Sequence, residues 1–112
     1  MITYLACPYS DPDPRTSLAR FEAANHLAAY LMSEGELIYS PISHSHPIAM
    51  AGDLPTGWSF WEQYDRAMIA ACSRMIVYCL PGWAISEGVG AEIEIARELG
   101  LPVEFYGPNS GV

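Results

Sequence analysis

A chain of 112 residues, 51% hydrophobic and 16% charged, is enough for one domain with a buried core. Thirteen acids stand against five arginines and no lysine, a net charge of -8 that excludes the basic face needed for polynucleotides or anionic membranes. The missing lysine also excludes Schiff-base and Walker-type phosphate chemistry.

From the N-terminus, ITYLAC (Ile2 to Cys7) reads as a first strand ending in the cluster PYSDPDP. Asp13 and Pro14 supply a helix N-cap and a first-turn proline. Leu18, Phe21, Ala24, Leu27, Ala28 and Leu31 then recur at helical spacing until Gly35. LIYSP (Leu37 to Pro41) is a second strand. The stretch ISHSHPIAMAGDLPTGW that follows reads as a long irregular binding loop. FWEQYDRAMIAAC is helical, RMIVYCL (Arg74 to Leu80) is a continuous apolar strand, Gly88 to Leu99 is the last helix and Pro102 to Tyr106 the last strand. The alternation predicts a three-layer α/β sandwich, a sheet of four, or at most five, parallel strands with helices on both faces, in one domain spanning residues 1–112. Ligands in such sheets bind beyond the carboxyl ends of the strands, where the strand order reverses. With strands one and three as central neighbours, Pro8 to Pro14 and Pro81 to Gly90 form that crevice.

Two acids break the pattern. On SEGVGAEIEIARELG the apolar stripe runs through Val89, Ile95, Ala96 and Leu99, with Glu87, Glu94, Arg97 and Glu98 opposite, yet Glu92 falls inside the stripe. On the preceding helix Asp65 sits in the stripe made by Trp61, Met68, Ile69 and Cys72. An ionised carboxylate out of water costs several kcal/mol unless it is paired or hydrogen-bonded. Either acid alone is explained by core hydrogen bonds; two on facing stripes suit acid-base work, or attack on a sugar carbon with protonation of the leaving group. Cys7, Cys72 and Cys79, an odd number without CxxC spacing, read as reduced core residues, with Cys7 kept as a possible nucleophile.

YLACPY, the inward aspartate and SEGVGAEIEIARELGLPV resemble, in order and placement, the nucleoside 2-deoxyribosyltransferase-like superfamily, which includes nucleoside 5'-monophosphate N-glycosidases. The resemblance is to a branch of short chains and covers nearly the whole sequence. It implies a flavodoxin-like or Rossmann-like sheet and cleavage of an N-glycosidic bond without cofactor or metal, with Glu92 as nucleophile, Asp65 holding the base or supplying its proton, and Tyr4 against the site. Cys7, Pro8, Tyr9 and Ser10 of the first loop would touch substrate. Glu94 stands where the superfamily commonly has glycine, on the solvent side of the helix. Relatives use a C-terminal segment to hold the 5' end of the sugar, which leaves Asn109 and Ser110 as candidates here.

Gly88 and Gly90 would leave backbone N–H groups open to an anion, and Ser86 suits either a helix cap or a phosphate donor. In the nucleotide glycosidases a serine at this place, with a serine and an arginine in the first loop, holds the 5'-phosphate. Ser86 matches well, Ser10 and Arg15 approximately. His44 and His46, with Asp53, are the residues that a metal-dependent hydrolase would use, since alternate residues of an extended stretch face the same way. His44, His46, Trp58 and Trp61 otherwise cover the base, unless the tryptophans are structural. The expected function is therefore N-glycosidic cleavage of a (deoxy)nucleoside or its 5'-monophosphate, to water or an acceptor base. A non-catalytic nucleotide-binding module is the alternative. Apolar runs too short for a bilayer and an N-terminus without a basic leader point to a cytoplasmic protein, and its small size to a homodimer or larger homo-oligomer.

Overall fold

The computed structural model describes residues 1–107; Asn109 and Ser110 lie outside them. The chain runs through β1 (Thr3–Ala6), α1 (Pro14–Ser33), β2 (Ile38–Tyr39), α2 (Pro41–Gly52), α3 (Trp58–Ala70), β3 (Arg74–Tyr78), a 3-10 turn (Trp83–Ile85), α4 (Glu87–Glu98) and β4 (Val103–Tyr106). The four strands pair in parallel in the order β2-β1-β3-β4. This is the flavodoxin-like arrangement, with the switch of strand order between β1 and β3.

Alternation along β1 divides the core. Leu5 points to one face, where it meets Ile76 of β3 and Leu27 and Ala28 of α1. Tyr4 and Ala6 point to the other, against Ile69 of α3 and Val89, Ile95 and Ala96 of α4. Helices thus cover both faces, as parallel sheets require. The Asp13 cap accepts from the Arg15 amide with Pro14 in the first turn, and Gly35 (φ 94°) ends the excursion after α1. Leu99, assigned to the apolar stripe of α4, is half exposed just beyond that helix. No helix among the described residues is long and apolar enough to cross a membrane.

The stretch expected to be an irregular loop is largely helical. Ser40 and Pro41 start α2 as cap position and first residue, the same pairing of signals that starts α1. Pro47 inside the helix removes one backbone donor and would disfavour it in isolation. Tertiary contacts offset that cost. Ile42 and Ala49 are buried, the Ser43 hydroxyl donates to the Asn25 side chain of α1, and the His46 ring stacks on Phe21 at 4.2 Å. Asp53, in the left-handed region at φ 52°, closes the helix, and the short link through Gly57 leads directly into α3.

Candidate active site

The loops after β1 and β3 open a cleft of about 290 Å³ at the carboxyl end of the sheet, with α2 and the start of α3 as its further wall. Both inward acids reach it. Glu92 of α4 is 5% exposed and Asp65 of α3 is 9% exposed, and each carboxyl lines the cleft. Tyr4, fully buried on β1, donates its hydroxyl to the Glu92 carboxylate. Its place is dictated by strand alternation: the residue on this face of β1 lies under the first turns of α4.

Burial works against charge on both acids. It pushes the Glu92 carboxyl up to about 8, with the Tyr4 hydrogen bond opposing the rise and the nearby Asp65 charge adding to it. Burial alone pushes Asp65 up to about 6. No group among the described residues donates a hydrogen bond to Asp65, whose side chain is open to the cleft. Around neutral pH the two carboxyls together hold about one proton, a property of the pair rather than of either residue. Cys7 also lines the cleft, but burial and the Glu92 charge hold its thiol up at about 12, which leaves almost no thiolate for nucleophilic attack.

The remaining expected residues divide. Tyr9, Ser10, Trp58, Trp61, Ser86 and Gly88 line the cleft. Trp58 also packs on the core and lies against Gly88, while Trp61 donates its indole N–H to the Pro55 carbonyl at 2.8 Å, so both tryptophans are wall and scaffold at once. The Ser86 hydroxyl accepts from the Val89 amide and caps α4. Pro8 is buried behind the first loop. Gly90 faces outward beside Ile93 and Glu94, and its amide is bonded to the Ser86 carbonyl, so it offers nothing to an anion in the cleft. Glu87, expected on the solvent side of α4, stands at the rim.

Arg15 does not reach the site. Its side chain is 91% exposed and paired with Asp13. Arg20, one and a half turns further along α1, is the arginine that lines the cleft. Its guanidinium donates to the carbonyls of Tyr9 (3.4 Å), Ser10 (3.2 Å) and Pro81 (3.1 Å), tying the loop after β1 to the loop after β3.

The histidines correct the expectation of a shared ligand face. Two positions apart on a helix they point in divergent directions. His44 stacks on Tyr64 with centroids 5.1 Å apart, whereas His46 stacks on Phe21 and its Nδ1 meets the Tyr9 hydroxyl at 2.5 Å. Neither lines the cleft; His46 acts on it only by holding Tyr9. Among the described residues no three His, Cys, Asp or Glu side chains gather as metal ligands.

Fold and site together define a flavodoxin-like α/β domain with a buried carboxylate pair in the cleft at its switch point. The chain belongs to the family described as a domain of unknown function, DUF1937, which matches residues 1–108. Among curated proteins no relative was found.

Proposed function

We propose that this protein cleaves the N-glycosidic bond of a (deoxy)nucleoside or its 5'-monophosphate. The observation that carries the reading is the pair Asp65 and Glu92, both buried and both open to one cleft, with Tyr4 donating to Glu92. A Glu92 carboxylate oxygen bonds to the anomeric carbon while the electron pair of the C–N bond leaves with the base, and Asp65 gives that base its proton. Water or an acceptor base then attacks the same carbon, Asp65 takes up the proton, and Glu92 is released as carboxylate.

The pair holds the one proton that this cycle uses, but burial favours it on Glu92 at rest, so the proton has to pass to Asp65 as substrate binds. The pair needs one proton, on Asp65, when the bond breaks, and positive charge developing on the sugar draws Glu92 into its ionised form. Tyr4 stabilises that ion by hydrogen bonding. Trp58, Trp61 and Tyr9 supply flat apolar surface for a base.

Incubation with ribo- and deoxyribonucleosides and their 5'-monophosphates, with chromatography for released base, tests the reading. Base release lost in Glu92→Gln supports it; binding without release would assign the fold to nucleotide binding instead. Self-association belongs to the proposal, supported by Phe60 and Tyr64 exposed on α3, and sedimentation equilibrium measures it.

A further inference from the structure

The charges around the cleft bear on what the sugar carries at its 5' end. Asp11, Asp65, Glu87 and Glu92 all line it. Among the described lining residues Arg20 is the only cation, and its guanidinium already serves three backbone carbonyls. Arg15 is turned to solvent with Asp13.

One of the two hydroxyls that suggested a phosphate site is committed in the same way, and both stand beside acids. The single proton of Ser10 goes to the Thr56 carbonyl at 2.9 Å. Ser86 caps α4 by accepting from the Val89 amide, which leaves its own O–H to donate, but Glu87 beside it already places a carboxylate in the first turn of that helix. Asp11 follows Ser10 and Glu87 follows Ser86, so each candidate donor stands beside a carboxylate that lines the cleft. A phosphate monoester brings a charge of about -1.5 to -2 at pH 7. It would meet four acidic side chains here, against an arginine already committed to carbonyls and the O–H of Ser86.

We infer that the substrate is a neutral nucleoside without a 5'-phosphate, and that Asp11 and Glu87 are the specificity-determining residues that reject the phosphate. The inference rests on the N-glycosidic reading for its substrate class, but binding tests it separately from turnover.

Calorimetric titration of the turnover-deficient Glu92→Gln protein with nucleosides and their matching 5'-monophosphates, at low ionic strength, should give at least tenfold tighter binding of the nucleoside. Added salt should narrow the gap, because rim charges are screened. Asp11→Asn with Glu87→Gln, on the same background, should shrink the ratio about tenfold; asparagine retains the oxygen that accepts from the Asp13 amide. Equal or tighter binding of the monophosphate, or a ratio unmoved by the two substitutions, overturns the inference. Preferential nucleoside binding without base release by the unmodified protein would overturn the hydrolytic reading and leave the specificity standing. Binding of neither overturns both.

Discussion

The guanidinium of Arg20 occupies the space that a side chain on Gly82 would need. A Cβ built at Gly82 stands 2.7 Å from Nη2 of Arg20, and the glycine adopts φ 92°, a region other residues enter at a cost. The staple between the two cleft loops therefore depends on glycine at one end and arginine at the other. Gly82→Ala should destabilise the fold by roughly 1 to 3 kcal/mol, read by urea unfolding, and Arg20→Ala should add little on top of it. Full additivity in the double variant would show the two positions to be independent.

Turnover should depend on the two acids unequally. Glu92→Gln keeps the shape and the acceptor for Tyr4 but removes the nucleophile, so base release should fall by several orders of magnitude with binding retained. Asp65→Asn should be severe but less complete, because a leaving base can still take a proton from water. A 2'-fluoro nucleoside slows both steps, and intact-protein mass spectrometry should catch a sugar adduct in the unmodified chain only. An adduct mapped to Cys7 would remove Glu92 from its role.

The rate should pass through a maximum between about pH 6 and 8, the window in which the pair holds one proton. Tyr4→Phe deletes a hydrogen bond that lowers the Glu92 value. Its alkaline limb should move to higher pH while the maximum rate drops about tenfold or more. A limb that stays in place would detach Tyr4 from the ionisation of Glu92.

Stability carries the same signature without any substrate. Glu92 binds its proton more tightly in the folded chain, at about 8 against an ordinary 4.5. Its contribution is present in full below 4.5 and is lost as pH rises towards 8, by at most about 1.4 kcal/mol per pH unit. Glu92→Gln should accordingly gain stability relative to the parent between pH 5 and 8 in chemical denaturation. A gain that shrinks with pH would mean the fold favours the ionised acid.

Chelators should leave the thermal midpoint and base release unchanged, since His44 and His46 are engaged with separate aromatic partners. A fall in the midpoint on adding EDTA would contradict this.

Strand order and site were legible in the sequence to very different degrees. The strands announce themselves as apolar runs between turn residues, and a charge inside an apolar stripe marks Asp65 and Glu92. The same test applied to cations finds Arg20, one turn before Ala24 on the buried stripe of α1, whereas Arg15, nearer the first loop, is solvated. α2 escaped because Pro47 and its serines and histidines carry loop propensities, and the contacts that overrule them come from Asn25 and Phe21, distant in sequence. Its one local signal was Ser40-Pro41. The two-position spacing of His44 and His46 changes meaning once the backbone is helical.

The position of β1 in the sheet has a bearing on how the molecule is made. Thr3–Ala6 is central in the sheet, yet its partner Arg74–Tyr78 is synthesised only after α1, β2, α2 and α3. Until then one edge of Thr3–Ala6 offers unpaired amides and carbonyls, beside a Tyr4 whose eventual acceptor lies 88 positions away. Such non-local closure slows folding and lengthens the exposure of that edge to other nascent chains. Fragments ending before Arg74 should accordingly collect in inclusion bodies, while expression at low temperature should raise the soluble share of the chain that includes β3.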